Sequence, residues 1–374
     1  MLVINVGVVG CGDVAIRAYL PGMKELADRV RVVALFDVLE ERVNNAAALF
    51  PDEAVATYTS YDDFLNHDNH EGDRKIDLVF NLTPAPLHRD ITARALESGY
   101  HAFSEKPIAA TVQQANELVE IAQQQGKSFF CAPATLVTGK FKTIKQFISE
   151  GRIGTPIFAR AEFSGLGPAA WRTYIGDPKV FYTPGVGPMI DMGVYGLTVL
   201  TGLFGPAKRA QAVGGILVPH RKNMVDRFYG EEFDVTGPDL YSINLDFGNN
   251  TFAHLLASFA SPATKGPIFE LQGTLGAISI SREQWFVGNG SFDLYLRDES
   301  PEGTNEGWQN NVAPIDPPRT PGILESGILH AVQVLEDGET QVMTAQHATH
   351  VLEIMNAANQ SIHDHTSVEI HSTF

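Results

Sequence analysis

The chain has 374 residues, which is more than one ordinary hydrophobic core holds, so two domains are expected. Its net charge of −17 argues against a nucleic-acid-binding protein, because binding to a phosphate backbone relies on clustered Lys and Arg. No apolar run is long enough to span a bilayer, and the first residues carry no secretory signal, so a cytoplasmic protein is predicted. The two cysteines, Cys11 and Cys131, make no disulfide framework.

The N-terminal residues are typical of a dinucleotide-binding unit. Apolar residues 2–9 predict a strand, which runs into a glycine turn at 10–15 (GCGDVA) and then a helix over 16–29. Gly10 permits the turn, and Gly12 lets the backbone approach a pyrophosphate. The N–H groups at the start of the helix are expected to face the phosphates, those of Asp13 and Val14 included.

A second buried strand at 32–36 ends in Asp37. A carboxylate about 20 residues beyond the glycine turn accepts hydrogen bonds from the adenosine ribose and repels a 2′-phosphate. Asp37 therefore predicts NAD rather than NADP as the cofactor. The alternative is that Asp37 is an ordinary solvated loop acid.

Strands and helices continue to alternate up to about residue 131. The predicted strands are 76–82, 101–104 and 128–131, and the predicted helices are 88–98 and 111–125. Such alternation indicates a doubly wound parallel sheet, a Rossmann fold, whose ligands bind beyond the carboxyl ends of the strands. Gly10, Asp37, Thr83 and Lys106 all follow such ends.

The pattern changes after about residue 150, where apolar and polar residues alternate. The predicted strands are 158–163, 241–247, 251–259, 268–273, 276–281 and 291–297, with a hairpin turn at 248–250. A loop is predicted over 298–322 and a helix over 343–363. The fold class is thus α/β: a Rossmann domain at 1–131, and at 132–374 an α+β domain with a large, open, mostly antiparallel sheet.

Three side chains carry the predicted chemistry. Oxidation of an alcohol needs a base for the hydroxyl proton, and Tyr195 can serve if its pKa falls below its usual value near ~10. A nearby ammonium favours the phenolate, and Lys106 is the candidate. Asp191 lies one helical turn before Tyr195, where it can bind a substrate hydroxyl. Taken singly, each has an ordinary alternative: a strand-end lysine, an acid at a helix start, and a half-buried ring.

The chain resembles the Gfo/Idh/MocA oxidoreductases over nearly all of its length. The segments that carry the resemblance are 10–15 (GCGDVA), 83–88 (TPAPLH), 105–107 (EKP), 151–154 (GRIG) and 187–195 (GPMIDMGVY). The resemblance implies that Lys106 and Tyr195 act in proton transfer with Asp191 alongside. It also implies a homodimer or homotetramer formed through the C-terminal sheet. Further residues are implied to line the cofactor site: Thr83, Pro84, His88, Glu105 and Lys106 around the nicotinamide half, and Trp171 and Arg172 against cofactor or substrate.

The sequence departs from the commonest family pattern in three places. Tyr195 replaces a more frequent histidine, so the base is expected to be a phenol. Val186 precedes Gly187 where a double glycine is common, and residues 131–133 (CAP) replace a more polar segment. Aromatic side chains before the catalytic stretch can stack on sugar faces or fill the core. The predicted substrate contacts are Lys106, Arg172, Tyr174, Tyr182, Asp191 and Tyr195.

His347 and His350 lie three positions apart on the last predicted helix. That spacing suits zinc, but no third ligand converges with them, so we predict a solvated helix face and no metal.

The sequence as a whole predicts an NAD(H)-dependent oxidoreductase that acts on the CH–OH group of a sugar, polyol or related compound. Two alternatives stay open. One is a regulator that binds NAD without turnover. The other is a different enzyme on this fold, either an NAD-dependent glycosidase or a sugar–sugar oxidoreductase with tightly bound cofactor.

Overall fold

The computed structural model describes residues 3–51, 53–69, 74–299, 307–315 and 322–374. The chain forms two compact units. Unit 1 comprises residues 1–137 and 320–352, and unit 2 comprises residues 138–319 and 353–374. The predicted domain boundary at 131/132 lies close to 137/138, where the chain first passes from unit 1 to unit 2. The return of residues 320–352 to unit 1 was not part of the prediction.

Unit 1 is built on a six-stranded sheet. Its strands are β1 (Ile4–Val9), β2 (Val30–Phe36), β3 (Ala56–Tyr58), β4 (Leu78–Asn81), β5 (His101–Ser104) and β6 (Phe129–Cys131). Its first helices are α1 (Leu20–Glu25), α2 (Glu40–Ala47), α3 (Tyr61–Leu65), α4 (His88–Glu97) and α5 (Val112–Gln124). All neighbouring strands are parallel, in the order β3-β2-β1-β4-β5-β6. The predicted doubly wound sheet is confirmed.

The strand order reverses between β1 and β4, which is where ligands bind in such sheets. Both strands are buried along almost their whole length, as expected when helices cover both faces of a parallel sheet. The helix after β1 begins as a π-helical turn, Ala15–Tyr19, and continues as α1. It ends at Glu25 rather than Arg29, because β2 begins at Val30 and residues 26–29 form the turn into it.

Unit 2 contains the larger sheet. Its elements up to residue 315 are α6 (Gly139–Ser149), β7 (Pro156–Ser164), α7 (Val194–Phe204), β8 (Arg209–Gly215), β9 (His220–Lys222), β10 (Glu232–Asp234), β11 (Leu240–Gly248), β12 (Thr251–Ser258), β13 (Phe269–Gly273), β14 (Gly276–Ile280), α8 (Arg282–Trp285), β15 (Phe292–Leu296) and β16 (Gln309–Val312). The last elements of the chain are α9 (Ile323–Glu336), α10 (Ala345–Asp364) and β17 (Val368–Glu369).

The nine-stranded sheet of unit 2 has the order β16-β15-β14-β13-β7-β12-β11-β8-β17. Only β7 and β12 pair in parallel; the other neighbours are antiparallel. The predicted mostly antiparallel sheet is therefore confirmed. Strand β16 lies within the segment predicted as a loop, of which residues 300–306 and 316–321 lie outside the described residues.

One face of this sheet is buried and the other is open. On β7, Ala159, Ala161 and Phe163 are buried, whereas Phe158 and Arg160, which point to the other face, are exposed. Helix α7 lies on the buried face, where a Cβ added at Gly196 would come within 2.7 Å of Leu255. Small residues on α7 thus permit its close approach to β12.

Helix α9 belongs to unit 1, although it follows most of unit 2 in the chain. It packs against α1 and the π-helical turn at 15–19. Gly327 of α9 lies against Ala134 and Phe103, and the side chain of Gln341 donates a 2.7 Å hydrogen bond to the carbonyl of Phe129. Within the described ranges, no helix combines the length and apolar character that crossing a membrane requires.

Candidate active site

The glycine turn of unit 1 fits a pyrophosphate. Gly10 has φ +93°, and a Cβ there would lie 2.9 Å from the backbone of Leu82 and Thr83, so both the turn and the packing require glycine. A Cβ added at Gly12 would meet no atom within 4 Å. The backbone at Gly12 therefore borders open space at the start of a helix, where N–H groups favour an anion. Asp13, at that helix start, has its side chain paired with Arg17 at 2.6 Å.

Asp37 lies at the end of β2 with its carboxylate held by the backbone. Its two oxygens accept hydrogen bonds from the N–H of Cys11 at 2.9 Å and of Leu39 at 3.0 Å. A carboxylate has about four acceptor positions, so Asp37 retains capacity for ribose hydroxyls. Burial, with the charge of Asp37 as the second cause, raises the pKa of the Cys11 thiol to about 12. Cys11 is thus a packing residue of the turn and not a thiolate.

Glu105 fixes the backbone of Lys106. The Glu105 side chain is 8% exposed, and one of its oxygens accepts a 2.7 Å hydrogen bond from the hydroxyl of Tyr19. The other oxygen accepts a 2.9 Å bond from the N–H of Lys106. Glu105 therefore joins the helix after the glycine turn to the end of β5. The sequence did not predict a role for Tyr19, since no local pattern indicates a partner 86 positions away.

A second network fixes the turn after β4. The side-chain oxygen of Asn81 accepts hydrogen bonds from the N–H and the hydroxyl of Thr83, at 3.2 and 2.6 Å. The His88 ring is buried, with its nitrogens 2.6 Å from the carbonyl oxygen of Pro107 and 2.7 Å from that of Thr83. His88 thus joins the turn at Thr83 to the turn at Pro107. This placement favours a bracing role over the predicted direct contact with a cofactor, while Pro84 is exposed beside it.

Two of the predicted residues of unit 2, Asp191 and Tyr195, share one helical segment. Asp191 lies in a π-helical turn, Met189–Gly193, which continues into α7, and Tyr195 lies in the first turn of α7. Both side chains are half-buried. The Tyr195 ring stacks on Phe163 at 6.3 Å and meets the edge of Phe286 at 5.5 Å. π-Helical turns are rare and occur often at functional sites, and the sequence did not predict this one.

The remaining predicted substrate contacts differ in exposure. Trp171 is exposed and Arg172 pairs with Asp226 at 3.1 Å on the surface. Tyr174 contacts the rings of Trp171 and Phe181. Trp171 and Arg172 are thus exposed, whereas Tyr174 is half-buried.

Tyr182 is fully buried. Its hydroxyl donates a hydrogen bond to the carbonyl of Leu166 at 2.9 Å and accepts one from the N–H of Ala169 at 3.1 Å. Burial is the largest cause that raises its pKa to about 12. This placement favours a structural role for Tyr182 over a substrate contact.

The predicted solvated face at His347 and His350 is wrong. Both rings are buried in α10, because that face of the helix packs into the protein. Among the described residues, no group of His, Cys, Asp and Glu is arranged to hold a metal ion.

The comparison with known proteins agrees with this architecture. A family model described as an oxidoreductase family with an NAD-binding Rossmann fold matches residues 4–132, and the GFO/IDH/MocA C-terminal domain model matches residues 141–279. The dTDP-3,4-didehydro-2,6-dideoxy-alpha-D-glucose 3-reductase of Streptomyces violaceoruber is 26% identical over 303 residues, which are 81% of this chain and 79% of that protein.

Other relatives also act on sugars by name. The D-xylose dehydrogenase of Paenarthrobacter nicotinovorans is 24% identical over 220 residues, and the match spans 56% of this chain and 55% of that protein. A levoglucosan dehydrogenase, solved in complex with NADH and levoglucosan, has the same fold with a TM-score of 0.80 at 19% identity, covering 99% of this chain and 100% of that one. Because the two family models together match more than half of the chain, the protein belongs to the Gfo/Idh/MocA family of NAD-binding oxidoreductases.

Proposed function

We propose that the protein transfers a hydride between NAD and a carbinol carbon of a sugar, a polyol or a related hydroxy compound. The observation that carries this proposal is a pair of hydrogen bonds to the buried Glu105 carboxylate, one from the hydroxyl of Tyr19 and one from the backbone N–H of Lys106. It holds a lysine at the carboxyl end of the Rossmann sheet, where ligands of such sheets bind. When bound, the nicotinamide accepts or donates the hydride.

In this proposal the chain's own residues hold the cofactor and handle the proton. The glycine turn at Gly10 and Gly12 holds the pyrophosphate, and Asp37 accepts hydrogen bonds from the ribose hydroxyls. Tyr195 removes the hydroxyl proton of the substrate, and Lys106 assists by favouring the phenolate. Asp191 accepts a hydrogen bond from a substrate hydroxyl and so orients the substrate.

The substrate class is inferred from the relatives' names, which cover a nucleotide-linked sugar, a pentose and an anhydrosugar.

We also propose a homodimer or homotetramer formed through the open face of the nine-stranded sheet. Phe158 and Phe252 are register partners on β7 and β12, and both rings are exposed on that face. Light scattering in solution measures the molar mass of the protein and therefore its oligomeric state.

The proposal is tested by following NAD⁺ reduction by absorbance against a panel of aldoses, anhydrosugars, inositols and sugar acids. Turnover with at least one sugar or polyol is expected. No NADH formation, combined with measurable NADH binding, would favour the regulator, the NAD-dependent glycosidase or a substrate outside the panel. Transfer between two sugars without release of NADH would favour the sugar–sugar oxidoreductase.

Asp37→Ser is expected to relax the preference for NAD. The loss of charge-assisted hydrogen bonds to the ribose costs about 2 kcal/mol, or roughly 30-fold in kcat/KM for NAD⁺. A serine also no longer repels a 2′-phosphate, and the positive Arg42 nearby remains, since its charge lowers the pKa of Cys11. We therefore expect the NAD⁺/NADP⁺ ratio of kcat/KM to fall by at least that factor.

The matched control for this change is Glu40→Gln, because Glu40 is an exposed acid close to Asp37 in the chain. It removes the same charge and should leave the ratio unchanged. If Asp37→Ser keeps the wild-type ratio, Asp37 does not select the cofactor.

A further inference from the structure

Unit 2 contains a buried lysine that the proposed reaction does not use. Lys140, the second residue of α6, is fully buried, and the ion pairs of the described residues do not include it. Burial lowers its pKa from 10.5 to about 7. Burying an ammonium costs free energy unless other groups replace the hydrogen bonds that it made with water. A buried Lys140 therefore requires hydrogen-bond acceptors within the protein.

Those partners are three backbone carbonyls of one short segment. The Lys140 ammonium donates to the carbonyl oxygens of Gln284, of Trp285 at 3.1 Å and of Val287 at 3.3 Å. An ammonium has three donors and no acceptor, so the three carbonyls match its capacity. They belong to the end of helix α8 and the turn after it, where carbonyls lack partners within the helix. Lys140 therefore caps this helix end from another element.

The same segment bears two rings that reach Tyr195. Phe286, which is 46% exposed, meets the Tyr195 ring edge-on at 5.5 Å. Trp285 is fully buried and lies 5.0 Å from Phe163, whose other neighbour is the Tyr195 ring at 6.3 Å. One contact is direct and the other passes through Phe163, so the turn at 284–287 packs against the tyrosine ring by two routes.

We propose that Lys140 is a positioning residue for Tyr195: it holds the turn at 284–287 by its three carbonyls and thereby packs Phe286 and Trp285 around the tyrosine ring. This inference rests on the proposed role of Tyr195 as the base. A hydrophobic residue of equal length fills the same space but removes the shared donor from the three carbonyls, of which that of Val287 also accepts a hydrogen bond from the N–H of Gly290 at 3.0 Å. The N–H donors and not the bulk of Lys140 are therefore the feature that holds the turn.

The first test reads the tyrosine ring directly, by fluorine NMR of the full chain labelled with 3-fluorotyrosine. The signal of Tyr195 is assigned by its loss in Tyr195→Phe. In Lys140→Met we expect this signal to shift or broaden, in the same sense as in Phe286→Ala. Lys145→Met is the control, because Lys145 lies on the exposed side of α6. Lys140→Arg, which keeps the charge, should restore part of the wild-type signal.

The second test is kinetic. We expect Lys140→Met to lower kcat about 10-fold and to shift the pH midpoint of kcat, with the dissociation constant of NADH changed less than twofold. Because both residues act through one contact, combining Lys140→Met with Phe286→Ala should cost less than the product of the two single effects. Phe286→Ala keeps the test available if Lys140→Met does not fold.

The outcomes separate the two proposals. An unmoved Tyr195 signal in a folded Lys140→Met protein overturns the positioning role, as does an unchanged kcat. A moved signal in a protein that turns over no sugar supports the contact and contradicts the proposed function instead.

Discussion

Replacing Lys106 by methionine is expected to lower kcat/KM for the sugar by about 10³-fold, within the range that general acid–base groups contribute. Methionine keeps the length of the side chain and removes the ammonium that, in the proposed mechanism, favours the phenolate form of Tyr195. The backbone N–H of residue 106 can still donate to Glu105, so the change removes the charge without releasing the turn. The measurement is kcat/KM for NAD⁺ reduction, with NADH binding followed by fluorescence.

The control for this prediction is Lys75→Met, since Lys75 is an exposed lysine of the same unit. It should leave kcat/KM within about twofold of the wild type, as expected for a surface change away from the site. A Lys106→Met protein with near-wild-type kcat/KM would remove Lys106 from the mechanism. A loss confined to NADH binding would assign it to the cofactor alone.

Tyr195→Phe is expected to lower kcat by about 10²- to 10⁴-fold, because the proposed base is removed. Phenylalanine keeps the ring, and with it the contacts to Phe163 and Phe286, so the fold around the site is preserved. A general base must be unprotonated to act, so alcohol oxidation by the wild type should rise with pH up to the pKa of the phenol. In the variant this rise should disappear from the pH profile of kcat.

The exposed Tyr229 of the same unit supplies the control, as Tyr229→Phe removes a phenol that lies outside the predicted site. Its kcat and pH profile should match those of the wild type. If the pH-dependent limb survives in Tyr195→Phe with substantial kcat, another group, with Asp191 first in line, is the base.

The sequence predicted the parts of the fold that local pattern decides. The apolar runs of β1 and β2 and the glycines between them identify a parallel sheet, since strands covered on both faces leave no polar alternation. Helix α9 was missed, because a segment rich in Pro and Gly precedes it and extended the predicted loop up to its start. The hairpin of β9 and β10 was missed because its strands are three residues each and largely exposed.

In the candidate site too, local patterns were predicted from the sequence, whereas contacts between residues distant in the chain were not. Gly10 and Asp37 are recognisable because the turn and its carboxylate have a fixed spacing. The hydroxyl of Tyr19 on Glu105 and the ammonium of Lys140 on Trp285 join residues 86 and 145 positions apart. No local pattern encodes such pairs, since each partner is unremarkable in its own segment.

The return of residues 320–352 to unit 1 bears on the order in which the protein can be made. A ribosome releases the six strands of unit 1 early, but helix α9, which covers α1 and the turn at 15–19, emerges only after almost all of unit 2. Until then Phe103 and Ala134 lack their contact with Gly327. The carbonyl of Phe129 likewise lacks the hydrogen bond from the side chain of Gln341. Domains that are contiguous in sequence complete folding in order from the N terminus during synthesis. Here the nascent nucleotide-binding unit must wait, with apolar surface uncovered, until residues 320–352 have been made.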